Sequence, residues 1–321
     1  MKHLKKNLAL LSVVFIIIGI CITGLGYMLG GTFSFSFSPQ NRKVVTSKDM
    51  KNATRLVEKE TEAFSSVKVQ SDQLDTVIQA GDCFSISYPE SPNGQTSYSI
   101  KDGVLTVDSV TKNQFFFFSF DFEPIEKTIT ITVPEALDTI SLLGEDCECR
   151  IEDQTADEVS LDTDYGDIFI HNSNIKNTVI QSKNGDISFK NCQIDILDAA
   201  LDYGSCTITD SVINNHTFTL KDGDALFNRL TAQTSNFSLK YGDFTMADSS
   251  IEQLSVKITD GDCKISLAED KSQYSLLLDI TDGYITVDGK EMQGTYMKEA
   301  SGKNTVEITS KYGDIDIISG R

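Results

Sequence analysis

Glycine recurs in this chain with a fixed period, and that period constrains the fold more than any other feature. Six glycines, each 19 residues after the previous one, are Gly166, Gly185, Gly204, Gly223, Gly242 and Gly261. Five of the six are followed by aspartate, namely Asp167, Asp186, Asp224, Asp243 and Asp262. The same pair returns late in the chain as Gly313 and Asp314. A period of this kind is typical of solenoids, in which each repeat forms one coil.

The apolar residues follow the same period. In the repeat that begins at Gly204, Cys206 and Ile208 lie two and four residues after the glycine, and this spacing puts both side chains on one face of a strand. Further apolar positions follow at nine, fourteen and sixteen residues after the glycine, and in this repeat they are Ile213, Phe218 and Leu220. Each repeat thus predicts three inward-facing walls.

One repeat is too short to enclose a core, but stacked repeats bring equivalent apolar residues into continuous columns. The predicted fold is therefore all-β: a parallel β-helix or β-solenoid of about 19-residue coils over residues 64–321. Glycine suits the corner because it adopts a positive φ without strain, and the aspartate after it can accept a hydrogen bond from the turn backbone.

The first residues predict a membrane anchor. Lys2, Lys5 and Lys6 precede an uncharged run over residues 8–31, which as a helix is long enough to span a bilayer. A cleaved signal peptide is the alternative, but its apolar region is usually shorter and ends in an Ala-x-Ala-like site. The lysines place the N-terminus in the cytoplasm. We therefore expect a single-pass protein of the cell membrane, with a cytoplasmic tail at 1–7 and an extracytoplasmic solenoid.

Residues 32–63 are predicted to form an extracytoplasmic tether, with a short solvated helix near its end because charged residues cluster at 55–62. Before Gly144 the strand pattern continues with less regularity. A phenylalanine-rich run at 115–122 allows two interpretations. It is either an exposed edge for a partner or membrane, or a buried strand that caps the solenoid.

The charge is strongly asymmetric. The chain carries a formal net charge of −19, and residues 1–45 contain five basic and no acidic residues, which leaves 23 basic against 47 acidic residues beyond. A balance of −24 disfavours nucleic acid as a partner and favours cationic peptides or envelope components. The alternative is that the charge only keeps a long strand-rich body soluble.

Three segments resemble landmarks of a known family. They are Phe64–Val69, Lys101–Val107 and Thr128–Pro134, and the Gly-Asp-Ile-x-Phe turns follow them in order. The chain resembles the bacterial β-strand-repeat family of candidate adhesins that is catalogued as domain of unknown function 4097. The resemblance implies a β-helix-like fold and a cell-surface setting, and some relatives belong to envelope-stress responses. It implies no catalytic residues.

Catalytic chemistry finds little support in the sequence. The three histidines, His3, His171 and His216, are scattered, whereas hydrolases need convergent groups. No cofactor is expected. Cys147, Cys149, Cys192, Cys206 and Cys263 occur where small buried apolar residues belong, and a disulfide between Cys83 and Cys147 or Cys149 stays open.

The column of corner aspartates is the one site-like feature. Stacked carboxylates repel each other unless they are compensated, and nearby lysines are candidates, namely Lys183, Lys221, Lys240 and Lys311. Calcium bridging the coils is the alternative to a turn-capping role, since calcium prefers oxygen ligands. The weak metal candidates are Asp186, Asp224, Asp243 and Asp262.

The sequence therefore predicts a cell-surface, membrane-anchored β-solenoid that acts as a binding or structural module and is not an enzyme. The alternative is a glycan-acting β-helix enzyme, since some β-helices cleave polysaccharides.

Overall fold

The computed structural model describes residues 2–29, 35–38, 43–46, 54–90, 94–111, 115–118 and 127–318. Helix α1 spans Lys2–Met28, and a 3₁₀ turn spans Lys271–Gln273. In chain order the strands are β1 (Phe35–Ser38), β2 (Lys43–Thr46), β3 (Arg55–Glu60), β4 (Ser66–Ser71), β5 (Asp75–Ala80), β6 (Ser85–Glu90), β7 (Gly94–Lys101), β8 (Val104–Thr111), β9 (Phe115–Phe118), β10 (Thr128–Val133), β11 (Leu137–Asp146), β12 (Cys149–Glu152), β13 (Thr155–Tyr165), β14 (Ile168–His171), β15 (Asn174–Asn184), β16 (Ile187–Lys190), β17 (Gln193–Tyr203), β18 (Cys206–Asp222), β19 (Ala225–Tyr241), β20 (Phe244–Asp260), β21 (Cys263–Leu267), β22 (Tyr274–Asp282), β23 (Ile285–Val287), β24 (Lys290–Met292), β25 (Thr295–Lys298), β26 (Asn304–Tyr312) and β27 (Ile315–Ile318).

The chain divides into two compact units. The first comprises Met1–Leu56, Glu90–Gln95 and Thr111–Glu126. It contains α1 and a three-stranded antiparallel sheet in the order β2-β1-β9. Within the part of the chain that the structure describes, no helix is long and apolar enough to cross a membrane. The anchor at residues 8–31 stays a prediction.

The structure bears on two predictions for this part of the sequence, the short helix near residues 55–62 and the phenylalanine run. Residues 55–60 form strand β3, so the predicted short solvated helix is wrong there. The strand pairs with β6, and the backbone hydrogen bonds gained at a sheet edge outweigh the helical charge pattern. In the phenylalanine run, Phe115–Phe118 is strand β9, while residues 119–126 lie outside the described residues.

The second unit comprises Val57–Pro89, Thr96–Val110 and Lys127–Arg321, and it is a β-solenoid. Successive coils pair in parallel with a register shift of one repeat, so that Ile168 lies beside Ile187, Ile187 beside Cys206, and Cys206 beside Ala225. The predicted 19-residue coil is confirmed.

The core is the set of inward columns that the periodicity predicts. Ile187 is 1% exposed, and Phe189, Cys206 and Ile208 are fully buried. The aromatic side chains of neighbouring coils stack in the middle of the column, with the ring centroids of Phe218 and Phe237 5.4 Å apart and nearly parallel. Burial of these side chains along the whole column is the main stabilising term of the fold.

Both ends of the solenoid depart from the chain order. At one end β4 lies between β8 and β11, so the earliest of these three strands in the chain is the inner one. At the other end β26 lies between β20 and β22, and β27 lies between β21 and β23. Strands β22 and β23, which follow β20 and β21 more closely in the chain, therefore lie one layer further out. There β25 pairs with β22, and β24 pairs with β23, both in antiparallel orientation. The repeat predicts coils stacked in sequence order and does not reveal this interleaving.

Candidate functional site

The periodic glycines form one corner of the solenoid. Their φ angles are positive, for example 142° at Gly185 and 136° at Gly204. A Cβ atom added to Gly204 would lie 2.1 Å from the carbonyl oxygen of Gly185. Each corner therefore needs glycine for two reasons, the backbone conformation and the close approach of the next coil.

The aspartates after these glycines form a ladder, which we call the aspartate ladder. Each carboxylate Oδ1 accepts the backbone N–H of the equivalent residue in the next coil, as between Asp186 and Asp167 at 2.8 Å. Where serine replaces aspartate, Ser205 Oγ accepts the N–H of Asp224 at 3.2 Å. The order along the ladder is Asp167, Asp186, Ser205, Asp224, Asp243, Asp262, Asp314 and Tyr284. The hydrogen bonds thus join coils and are not confined to a single turn.

The lysines expected to compensate the ladder lie elsewhere. The Nζ atoms of Lys183 and Lys221 contact Asp164 and Asp202, each at 2.5 Å. Lys240 and Lys311 lie over the rings of the tyrosines that follow them, Tyr241 and Tyr312, 5.1 and 5.0 Å from the ring centroids. The only lysine recorded near a ladder carboxylate in the described chain is Lys264, whose Nζ is 3.9 Å from Asp262 Oδ2. The ladder is therefore an acidic edge held by backbone donors.

The metal candidates Asp186, Asp224, Asp243 and Asp262 lie in this ladder, one per coil. Over the residues that the structure describes, no group of three or more His, Cys, Asp or Glu side chains is arranged to hold a metal ion. One oxygen of each of these carboxylates is already engaged with a backbone N–H.

A second corner, which sequence reasoning missed, lies six residues after five of the periodic glycines, from Gly166 to Gly242. Here non-glycine residues adopt the left-handed conformation, with φ near 50° at Asn172, Asn191 and Asp210. The side chains stack from coil to coil, and Asn191 Nδ2 donates to Asn172 Oδ1 at 3.0 Å. Asparagine and aspartate tolerate this conformation better than other residues. The recurrence of asparagine and aspartate at this position of the repeat is the sequence feature that could have predicted the corner.

A stripe of exposed tyrosines, also missed, precedes the glycines. Tyr165, Tyr203, Tyr241 and Tyr312 are 57%, 59%, 46% and 43% exposed. The signal was present in the sequence as a tyrosine immediately before some corner glycines, at every second repeat. At one end of the stripe a shallow depression of about 440 Å³ is lined by Glu145, Asp146, Asp164 and Tyr165.

All seven cysteines are free thiols, with Cys21 and Cys83 exposed and the other five buried. The question left open for Cys83 is thereby answered, because it forms no bridge with Cys147 or Cys149. Burial raises the pKa of the Cys147 thiol to about 11, with smaller contributions from Asp75 and Asp146. Thiolates are therefore disfavoured, and the buried cysteines act as small apolar residues.

The two histidines whose side chains the structure describes, His171 and His216, do not converge on a catalytic group. The His216 side chain is buried against Phe218 and Phe237, and burial lowers its pKa to about 4. His171 Nε2 lies 3.4 Å from Ser188 Oγ. Glu152 in the adjacent coil contacts Arg150 at 3.4 Å, and no hydrogen bond between Glu152 and His171 is seen. The described geometry therefore lacks the oriented base of a nucleophilic triad.

The fold defines the second unit as a repeat structure, a β-solenoid with regular outward columns. The chain belongs to the Toastrack DUF4097 family, whose sequence profile matches residues 64–318. The match begins at Phe64, where the sequence resemblance places the start of the domain.

Several solved structures are similar to this chain. A candidate adhesin from Bacteroides fragilis NCTC 9343 is 12% identical, with 82% of this chain and 96% of that chain covered and a TM-score of 0.39. A candidate adhesin from Parabacteroides distasonis ATCC 8503 has the same identity and coverage and a TM-score of 0.45. A candidate lipid-binding protein from the same organism is 12% identical over 85% of this chain and 98% of that chain, with a TM-score of 0.45. No curated protein matches. With TM-scores under 0.5, these likenesses carry no argument about the ligand.

Proposed function

We propose that this protein is a membrane-anchored, cell-surface binding module that is not an enzyme. In this proposal residues 1–7 are cytoplasmic, 8–31 cross the membrane, 32–63 form the tether and 64–321 form the extracytoplasmic solenoid. The three lysines before the apolar run, and the absence of charged residues after it until Arg42, support this topology. The similar solved structures are described as candidate adhesins and a candidate lipid-binding protein.

The observation that carries the proposal is the in-register outer surface of the solenoid. Because equivalent residues of successive coils pair with each other, each outward position repeats along a column, as from Thr207 to Leu226 to Thr245. Such a surface offers many equivalent weak contacts to an extended ligand. This arrangement supports a role as a binding module.

A second candidate role is the capture of cationic peptides, and the aspartate ladder favours it. Carboxylates from successive coils lie along one edge, and the lysines expected to neutralise them pair elsewhere. An edge of one charge attracts oppositely charged ligands in a salt-dependent manner. This role is in keeping with the envelope-stress associations that the family resemblance implies.

The topology can be tested with the native thiols. Cys83 is exposed, whereas the other cysteines of the solenoid are buried. A membrane-impermeant maleimide added to intact cells should label the parent protein but not the Cys83→Ser variant, and the protein should stay in the membrane fraction. Labelling of Cys83 only after permeabilisation would show that the solenoid is not extracytoplasmic. Recovery of the full-length solenoid in the culture medium would show that the apolar run is a cleaved signal.

A further inference from the structure

The stripe of tyrosines before the corner glycines follows a strict spatial rule. Tyr165 lies beside Asn184, Asn184 beside Tyr203, and Tyr203 beside Asp222. The column continues with Tyr241, Asp260, Tyr312 and Asp282. Tyrosine thus alternates with aspartate or asparagine, and neighbouring tyrosines are two coils, about 9.5 Å, apart.

The alternation holds in space and not along the chain. The coil after Asp260 in sequence is the one that carries Asp282, which would place two aspartates side by side. The interleaved strand β26 lies between them and supplies Tyr312 to the vacant position. The alternation of tyrosine with aspartate or asparagine is therefore kept even where the coils depart from chain order. Neighbouring tyrosines are two coils apart, so no contact between them requires the alternation. A simple duplication of repeats does not explain this placement.

The column next to the stripe carries both lysines and aspartates. The residues two positions before the glycines include Asp164, Lys183, Asp202 and Lys221, which form two ion pairs. From the coil of Glu145 and Asp146 to that of Asp282, this column and the tyrosine column together contain four lysines, six aspartates and one glutamate, a balance of −3. This acidic balance disfavours an anionic ligand, so the stripe is suited to an uncharged one.

We propose that the tyrosine stripe binds a linear, uncharged, β-1,4-linked polysaccharide. Successive sugars in such a chain are flipped, so the same pyranose face recurs once per disaccharide, a repeat close to the spacing of the tyrosines. The apolar face of every second sugar stacks on a tyrosine ring. The intervening Asp222 and Asp260 carboxylates and the Asn184 amide accept hydrogen bonds from sugar hydroxyls. The proposal rests on the proposed function, because it names the ligand class of the same surface module.

Several weak stacking contacts on one polymer add up to useful affinity. Lys240 and Lys311 lie over one face of Tyr241 and Tyr312, and at exposed sites such contacts are weak. The sugar takes the other face or displaces the lysine. Tyr165 and Tyr203, the more exposed pair, are expected to contribute most.

The test uses the purified full-length chain and its own fluorescence, since the protein has ten tyrosines and no tryptophan. The probes are β-1,4-linked N-acetylglucosamine oligomers of two, four and six sugars, with an α-1,4-linked glucose hexamer as the control glycan. Affinity should rise steeply with the length of the β-linked series and be absent for the α-linked hexamer. Tyr165→Ser and Tyr203→Ser should each weaken hexamer binding at least about fivefold. Ile196→Ser, at an exposed position outside the stripe, should leave binding unchanged.

A variant that keeps the number of tyrosines but moves one by a single coil tests the spacing. Tyr203→Ser combined with Asp222→Tyr should bind as weakly as Tyr203→Ser alone. Restoration of the parent affinity would show that the tyrosines bind without regard to their spacing and would contradict the proposal. Equal binding of the β-linked and α-linked hexamers would contradict it for the same reason.

Three further outcomes would overturn the proposal: no binding of any β-linked oligomer, unchanged binding in the tyrosine variants, or loss of cationic-peptide binding in their place. Recovery of shortened oligomers would point to the enzyme alternative. All these measurements use purified protein. A failure of cell-surface labelling at Cys83 would therefore refute the proposed function without bearing on glycan binding.

Discussion

The backbone N–H of Asp243 donates to the Oδ1 atom of Asp224 in the adjacent coil, 2.8 Å away. This bond links two coils at a solvent-exposed corner. Asp224→Ala should lower the free energy of unfolding by about 1 kcal/mol, since water replaces part of the lost acceptor. Asp224→Asn should be nearly neutral because its amide oxygen still accepts. Urea unfolding of both variants checks this, and equal losses would mean that the charge, not the acceptor, matters.

Gly204→Ala should be strongly destabilising. The new Cβ would lie 2.1 Å from the Gly185 carbonyl oxygen, in a backbone conformation with φ of 136°. Gly294→Ala is the matched control, because Gly294 also has a positive φ but no atom lies within 4 Å of its Cβ position. We expect about 1 kcal/mol for the control from backbone strain alone and a clearly larger loss for Gly204→Ala. Similar melting temperatures for the two would exclude the steric contribution.

The inward and outward assignment can be tested within one short strand. Ile187 is 1% exposed and lies in the apolar column, whereas Lys190 is exposed. Ile187→Asp should lower the free energy of unfolding by about 3 kcal/mol or more, because an unpaired charge would enter the core. Lys190→Asp should be almost silent in the same urea titration. Equal tolerance at both positions would contradict the assignment.

Stability should fall on acidification because of His216. Burial lowers its pKa from 6.5 to about 4, so below pH 6.5 the unfolded chain binds a proton that the folded chain excludes. This contribution is present in full above pH 6.5 and is lost as the pH falls towards 4. Between pH 7.5 and 5 it amounts to about 2 kcal/mol. His216→Leu should reduce the loss over that interval by this amount, whereas an unchanged pH profile would exclude a role for His216.

The aspartate ladder predicts salt-sensitive binding of a cationic peptide. At low salt the full-length chain should bind a lysine-rich helical peptide, and the affinity should fall steeply towards physiological ionic strength, where exposed charges are screened beyond about 8 Å. Replacing Asp186, Asp224, Asp243 and Asp262 by asparagine should keep the fold, since each position keeps its acceptor oxygen, and should weaken binding. A folded variant that binds as tightly as the parent would leave the ladder with a structural role only.

The coil could be predicted from the sequence because the same spacing of glycine and apolar residues recurs in successive repeats. Cys206 and Ile208 could be assigned to the core from spacing alone, and their burial confirms it. Interleaving of the end strands could not be predicted, because β22 and β26 carry equivalent inward patterns. Either can occupy the position next to β20, and only packing distinguishes them.

The surface was harder to predict than the core. The corner aspartates were found from their period, but their partners were not, since a hydrogen bond to the next coil depends on coil-to-coil register. Lys183 was expected near the ladder, and it pairs with Asp164, one position before the stripe of tyrosines. The positions of exposed side chains depend on several weak contacts of similar energy. The spacing of residues along the chain therefore does not predict which partner such a side chain contacts.

The interleaved strands also determine how the solenoid responds to a shortened chain. Strands β26 and β27 are bordered on both sides, by β20 and β22 and by β21 and β23. A stop or cleavage near residue 300 would therefore remove an interior layer and not the outermost one. Two rows of unpaired backbone groups would face each other across the gap, and open rows of this kind recruit other chains. Such a truncation would therefore produce an aggregation-prone fragment and not a solenoid one coil shorter.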